Sequence, residues 1–358
     1  MSQNASDALA LPARHETFLA RYPRNLKLFV TALIFALMVL PPAWIHGQHR
    51  GVIKNIQTSA LFPQEKEIEK WLQGNRKIET DVNAPALNDQ DDRNVKLVQA
   101  PNSRVTLDTA EGSLPRIGED GARPWQVYAR PFNLADKRPR VAIVITDLGM
   151  SRGITDQAIA QTPPTVTLSF SSQSPVVGAW STRARQDGHE ILLQVPVEPF
   201  DYPQSDPGAD TLLTNLSTGE NLTRLLKALR RSTGYVGITT TYGSRFTSDP
   251  TRFGLILQEV KDRGLMVFDS RVVPHGVVTD MARNAGVPVA TMTQRLDVDL
   301  DPQAVATAFE NLEKTARQTG RAVGIMTATP VMINQLQAWA KTLPEHGIAL
   351  APLSTMVQ

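Results

Sequence analysis

The chain has 358 residues, and its 37 Lys and Arg against 35 Asp and Glu give a net charge of only +2, which argues against a dedicated nucleic-acid-binding protein. Apolar residues make up 41% of the chain and charged residues 20%, as is typical of a folded protein. Cysteine is absent, which excludes disulfides, thiolate metal sites, iron–sulfur clusters and a cysteine nucleophile.

The most apolar segment of the chain is residues 28–45, LFVTALIFALMVLPPAWI, which contains no charged residue. At a rise of about 1.5 Å per residue it is long enough for one membrane-spanning helix. Four basic side chains precede it: Arg14, Arg21, Arg24 and Lys27. The positive-inside rule therefore predicts a cytoplasmic segment at 1–27 and a single-pass anchor in the inner (cytoplasmic) membrane at 28–45. A cleaved signal peptide is the main alternative, and a buried core helix is a third.

Residues 46–138 are predicted to form an extracytoplasmic stalk that is mostly disordered. No aromatic residue occurs between Trp71 and Trp125, and Asn, Asp, Pro and Gly recur there. Such a stretch buries too little apolar surface to offset the entropy lost on ordering. The segment PWQVYARPF, residues 124–132, ends this composition and is predicted to pack on the domain that follows.

Residues 139–358 alternate short apolar runs with amphipathic helical patterns. The predicted strands include VAIVIT, TVTLSF, HEILLQV, YVGITT, LMVFD and AVGIMT. Near-continuous apolar strands separated by helices indicate an α/β fold, here a distorted parallel (β/α) barrel of seven to eight strands. The G-x-G-x-x-G and Walker glycine patterns are missing, so no nucleotide cofactor is predicted.

In a barrel of this kind the chemistry lies where the strands end, at their carboxyl-terminal edge. In chain order that rule selects Thr146-Asp147, Gln194 with Glu198, Thr239 to Arg245, Asp269-Ser270-Arg271, and Thr327. These polar residues are therefore the candidate site.

The same segments resemble the divergent polysaccharide deacetylase family, a branch of the carbohydrate esterases. The similarity runs in order from about Arg138 to the C-terminus through AIVITDLG, TVTLSF, GHEILLQVPVEPFDYP, GYVGITTTYGSRFT and RGLMVFDSR. It implies a distorted β/α barrel that acts on, or binds, glycan of the cell envelope.

The resemblance also implies metal and base positions that this chain has replaced. Where active relatives carry Asp-Asp-Leu-Gly, Leu-His-x-Pro, Asn-Asn-His-Met-Gly-Ser and Gly-His-Pro, this chain has Thr146-Asp147, Gln194, Thr241 and Thr327 respectively. Metal-assisted hydrolysis needs about three protein ligands and a base, and neutral amide and hydroxyl oxygens are poor zinc ligands. No metal or other cofactor is therefore expected. The candidate residues for the cleft are those that remain: Asp147, Glu198, Asp269 and Arg271.

Three histidines in the domain offer little support for a metal site. His189 begins a strand about 16 Å from the rim at about 3.3 Å per residue, His346 precedes the last strand, and only His275 follows a strand end. A triad of Ser244, His275 and Asp269 lacks a nucleophile-elbow motif. Asp147 paired with Glu198 or Asp269 would suit glycoside cleavage only at a separation that sequence does not give.

The resulting expectation is a membrane-anchored envelope protein whose C-terminal domain lies in the periplasm or outside the cell. Its domain is expected to be catalytically degenerate and to bind an envelope glycan or an envelope protein, with no nucleic acid as partner. Two alternatives stay open: an active hydrolase that deacetylates envelope polysaccharide with a non-standard ligand set, and an envelope protein scaffold that binds no sugar.

Overall fold

The computed structural model describes residues 95–271 and 277–357, except for the side chains of Thr241 and Tyr242. The predicted cytoplasmic segment, the anchor at 28–45 and the first half of the predicted stalk lie outside these residues. Within the described part of the chain, no helix is both long enough and apolar enough to cross a membrane.

Eleven strands and nine α-helices are described within those residues. The strands are β1 (Thr106–Thr109), β2 (Gly112–Pro115), β3 (Arg140–Leu148), β4 (Thr167–Ser171), β5 (Ile191–Val197), β6 (Gly237–Tyr242), β7 (Met266–Asp269), β8 (Val289–Thr291), β9 (Gln294–Arg295), β10 (Arg321–Thr327) and β11 (Ala349–Leu350). The helices are α1 (Pro124–Val127), α2 (Arg152–Gln161), α3 (Val177–Gln186), α4 (Thr218–Leu229), α5 (Ser244–Thr247), α6 (Pro250–Asp262), α7 (Val277–Ala285), α8 (Pro302–Thr319) and α9 (Pro330–Ala340), and a 3-10 turn covers Leu353–Met356.

The main sheet is parallel and curled, as the alternation of strand and helix patterns predicts. Its hydrogen-bonded order is β8-β7-β6-β5-β4-β3-β10-β9, and β11 pairs with the start of β3. β8 bonds to β7 while β9, three residues further along the chain, bonds to β10. The short segment 289–295 thus supplies the strand at each end of this row. The predicted α/β fold is confirmed at the level of a curled parallel sheet of eight strands with flanking helices.

The two faces of each strand differ in what covers them. On one face, Ile143, Leu168 and Leu193 join the large apolar cluster that includes the helices. On the other face, Val144 and Leu192 join a second cluster inside the curl, which also contains Leu353 of the C-terminal turn. Because side chains alternate along a regular strand, these residues identify which positions of each strand face outward and which face inward.

Residues 95–138 are ordered, which corrects the prediction that the stalk extends to residue 138. This segment, called the N-terminal arm below, forms the β1–β2 hairpin and the short helix α1. Its Tyr128 is buried and lies 5.0 Å beneath the Arg185 guanidinium of α3. Arg185 also donates to the carbonyl oxygens of Tyr128 at 2.9 Å and Val98 at 2.7 Å. A few long-range contacts with the domain, which composition does not reveal, thus order an otherwise weakly apolar segment.

Candidate functional site

The carboxyl-terminal edge of the curled sheet, called the mouth below, is lined on its inner face by small neutral side chains. They come from successive strands of the sheet: Thr327 of β10, Thr146 of β3, Ser171 of β4, Gln194 of β5 and Thr239 of β6. Register places Thr327 opposite Thr146, and Gln194 opposite both Ser171 and Thr239, while the register between β3 and β4 shifts within Ile145–Leu148. Thr241, one inner position beyond Thr239, is placed here by its backbone alone.

Asp147 is directed into the mouth by an irregularity in β3. Strict alternation would place it on the outer face, since Ile145 and Leu148 both belong to the outer apolar cluster. The register between β3 and β4 shifts within Ile145–Leu148, and Asp147 has a φ of 62°. β-Bulges characteristically redirect one side chain in this way. The left-handed conformation is uncommon for a residue other than glycine, and aspartate is among those that tolerate it best.

Gln194 holds Asp147 in that position. The backbone N–H of Asp147 donates to Gln194 Oε1 at 3.1 Å, and Gln194 Nε2 donates to Asp147 Oδ1 at 3.2 Å. Thr146 Oγ1 donates to Asp147 Oδ2 at 3.1 Å. Gln194 is buried, whereas Asp147 is exposed to solvent at the mouth. The Gln194 amide therefore positions the Asp147 carboxylate.

Asp269 is not part of the mouth, although it ends β7. Its neighbour Phe268 faces inward, so Asp269 faces outward, towards helix α7. Its Oδ2 accepts from the backbone N–H and the hydroxyl of Thr279, at 3.2 and 2.5 Å. Its Oδ1 accepts from the N–H of Arg271 at 2.8 Å. Asp269 consequently organises the β7–α7 connection, and its predicted place among the cleft residues is corrected.

Glu198 joins three segments that follow β5 and β6. Its Oε2 accepts from the N–H and the hydroxyl of Thr214, at 2.5 and 2.7 Å, and Arg245 lies 3.7 Å from its Oε1. Its backbone carbonyl accepts from Arg245 and Phe246 at 3.1 Å each. Glu198 is buried, and its hydrogen bonds and ion pair connect these loops. It therefore presents no open carboxylate to a ligand.

The other two predicted positions differ in exposure. Arg271 is exposed and, with a φ of 49°, is the second non-glycine residue in the left-handed region among those described. Thr327 is half-buried, and its N–H donates to Asp297 Oδ2 at 2.7 Å. Asp297 also pairs with Arg295 at 2.9 Å, so a third carboxylate near the mouth is occupied by protein groups. Asp297 carries no recognisable sequence signal, because it lies in a loop after the very short strand β9.

The histidines lie away from the mouth where they are described. His189 is fully buried before β5, and its two ring nitrogens lie 2.9 and 3.0 Å from the carbonyl oxygens of Val166 and Ile159. His346 contacts Glu313 of α8 at 3.0 Å. His275 falls outside the described residues. Across residues 95–271 and 277–357, no three His, Asp or Glu side chains group as a metal site requires.

The donor set at the mouth does not fit the metal that the fold family implies. Thr146, Gln194 and Thr327 offer only neutral oxygens, and Gln194 uses its amide on Asp147. Among the described residues, Asp147 is the one carboxylate directed into the mouth, and one carboxylate falls short of the three protein ligands of a catalytic zinc site. The described arrangement thus presents a polar, mostly neutral surface with one exposed anion.

Comparison with known proteins agrees with the motifs and the fold. A crystal structure of an uncharacterized protein from Agrobacterium tumefaciens C58 is 33% identical, superimposes with a TM-score of 0.67, and covers 69% of this chain and 100% of its own. The uncharacterized protein YibQ of Escherichia coli K12 is 25% identical over 219 residues, which cover 61% of this chain and 67% of that protein. A Haemophilus influenzae protein, also uncharacterized, is 26% identical over 206 residues, which cover 58% of this chain and 72% of its own length.

The family model for divergent polysaccharide deacetylases matches residues 143–357, which run from β3 to the C-terminal turn. This match includes all the mouth residues described above and, apart from the first three residues of β3, every strand of the curled sheet. The resemblance inferred from the motifs is confirmed, and the chain belongs to the divergent polysaccharide deacetylase family.

Proposed function

We propose that the domain binds a glycan of the cell envelope at its mouth and does not hydrolyse it. The single observation that carries this proposal is the reciprocal hydrogen bonding of Gln194 and Asp147. Hydrolysis by the family's chemistry needs a metal-bound water and a base that takes its proton. In this chain the Gln194 amide lies at the inner position where a metal ligand would be needed, and the Asp147 carboxylate is hydrogen-bonded to that amide.

Glycan binding is supported by the groups that remain at the mouth. Sugars are recognised through hydrogen bonds to their hydroxyls, and the half-buried Ser171 and Thr327 present neutral hydroxyls of that kind. Phe200, which follows β5, is 57% exposed and offers an aromatic face for a sugar ring. Its position is held, since its N–H donates to Ser244 Oγ at 2.9 Å and Arg245 donates to its carbonyl at 3.0 Å.

Binding of an envelope protein is the second candidate, and exposed aliphatic residues beyond the strand ends favour it. Met150 after β3, Val176 after β4 and Val298 after β9 are 65%, 52% and 81% exposed. Exposed apolar side chains grouped on one face are characteristic of protein interfaces. A protein partner would contact these aliphatic side chains, whereas a glycan would contact the polar side chains of the mouth.

The decisive experiment combines metal binding with an activity assay. The purified protein is titrated with zinc, nickel and manganese and then incubated with N-acetylated amino-sugar oligomers while released acetate is measured. We expect no stoichiometric metal and no acetate. One tightly bound zinc per chain, with turnover abolished by Asp147→Ala, would instead establish the active-hydrolase alternative.

We further propose that residues 28–45 anchor the protein in the inner membrane and that the domain lies on its outer side. The basic residues before the apolar segment support this orientation. A reporter that is active only outside the cytoplasm, fused after residue 140, should be active, and the mature chain should keep residues 1–45. Recovery of a shorter soluble form that lacks the apolar segment would identify a cleaved signal peptide.

A further inference from the structure

We propose that Asp147 binds the ammonium group of an amino sugar, so that the mouth selects glycans with free amino groups over N-acetylated ones. This inference rests on the proposed glycan-binding function and specifies the chemical class of the ligand. It assigns the remaining family aspartate a role in recognition.

The charge of Asp147 is the first argument. Within the described residues, the neighbouring acids Glu198 and Asp297 each have an arginine partner, Arg245 at 3.7 Å and Arg295 at 2.9 Å. Among the described side chains, Asp147 receives hydrogen bonds only from the neutral Thr146 and Gln194. An exposed carboxylate in a neutral surrounding attracts a cation more strongly than one that is already paired.

The geometry of the carboxylate is the second argument. A carboxylate has about four acceptor positions, and described side chains occupy one on each oxygen of Asp147. The remaining positions are open to solvent, because the side chain is exposed. The two protein bonds and the bulge hold the group in place before a ligand arrives, which lowers the entropy lost on binding. An ammonium group donates the charge-assisted hydrogen bonds that suit such an acceptor.

A buried hydroxyl inside the curl is an independent sign that the mouth receives a polar ligand. Ser169 faces the inner side of β4, two residues before Ser171 of the mouth. It is fully buried, and its Oγ has no hydrogen-bond partner among the described groups. A buried hydroxyl without a partner is costly, so its presence indicates a polar atom supplied from outside the chain. Because Ser169 is fully buried, a sugar hydroxyl at the mouth meets that need through a bridging water, while the ammonium group meets Asp147.

The test compares two matched ligands on the full-length protein. Chito-oligomers with free amines and the same oligomers fully N-acetylated are titrated by calorimetry at about pH 6, where primary amines are protonated. We expect the amine form to bind at least about tenfold more tightly, the effect of one good charge-assisted bond. Asp147→Asn should abolish this preference, and Asp108→Asn should keep it, because Asp108 carries the same charge on the β1–β2 hairpin.

The outcomes separate this inference from the proposal on which it rests. Equal or tighter binding of the acetylated oligomer by the wild-type protein would overturn the inference and leave glycan binding intact. Absence of binding to either oligomer would overturn glycan binding itself. An equal loss of preference in Asp108→Asn would assign the effect to overall charge and refute a role for Asp147. If Asp147→Asn does not fold, the wild-type preference must still fall as salt rises, and a salt-independent preference contradicts the ion pair.

Discussion

Gln194 and Asp147 exchange two hydrogen bonds across the end of β4, backbone N–H to Oε1 at 3.1 Å and Nε2 to Oδ1 at 3.2 Å. The intervening strand β4 separates β3 from β5 in the sheet, so this pair connects two strands that do not bond to each other. The bulge in β3 makes the connection possible, because it turns Asp147 towards β5. The pair is therefore both a structural link and the centre of the proposed site.

Gln194→Leu is expected to lower the free energy of unfolding by about 1–3 kcal/mol, because both bonds to Asp147 disappear and its N–H loses an acceptor. Urea unfolding measures this change. Ser171→Ala is the matched control at the same level of the mouth, since the Ser171 hydroxyl accepts only from the Gln173 N–H in the described structure. Its effect should stay below about 1 kcal/mol. Equal losses in the two variants would contradict the structural role of the pair.

His189→Ala should reduce stability and leave ligand binding unchanged. The ring is fully buried, and both nitrogens contact carbonyl oxygens of the α2–β4 region. Loss of these bonds and of the ring volume is expected to cost about 2–4 kcal/mol. Thermal unfolding and glycan titration of the same samples check both parts. Reduced affinity in a variant that remains folded would place His189 in the binding site after all.

Arg185→Ala is expected to release the N-terminal arm. Its guanidinium donates to Tyr128 and Val98 and stacks on the Tyr128 ring, while burial lowers its pKa to about 10. Limited trypsin digestion should cut residues 95–138 faster in this variant than in the wild-type protein. Arg183→Ala, two residues away and paired with Asp156 on the surface, should digest like the wild type. Rapid cleavage of the arm in the wild-type protein would show that these contacts do not hold it.

Glu190 should make stability depend on pH. Burial raises the pKa of this carboxyl, opposed by hydrogen bonds from Ser354, the Arg130 N–H and Thr167. The folded state therefore holds the proton more tightly than the unfolded state. Its stabilising contribution is complete below the unfolded pKa of about 4.3 and is lost as pH rises through the folded pKa.

Glu190→Gln removes this ionisation, so the stability of the variant relative to wild type should rise as pH increases above the unfolded pKa of about 4.3. Thermal unfolding at several pH values measures the difference. Glu310→Gln, at an exposed position on α8, should show no comparable trend. A difference between Glu190→Gln and wild type that does not vary with pH would mean that folding does not raise the pKa of Glu190.

The periodicity of the chain was sufficient to predict a parallel sheet with outer helices, because apolar strands and capped helices are local patterns. Asp249 and Asp301, for instance, cap α6 and α8 before a proline, as such pairs usually do. The order of strand ends also located Thr146, Gln194 and Thr327 correctly at one edge, since parallel strands share a direction.

The orientation of Asp147 and Asp269 depended on tertiary structure. β7 is buried on both faces, so its apolar sequence does not indicate which side Asp269 faces. The bulge that redirects Asp147 arises from register with β4, a partner that is distant in sequence. The order of residues 95–138 likewise depends on Arg185, whose contacts lie in a different part of the chain. Sequence alone determined which chemical groups lie at the strand ends, whereas long-range packing decided which of them face the mouth and remain open to a ligand, because only the folded chain brings their hydrogen-bond partners together.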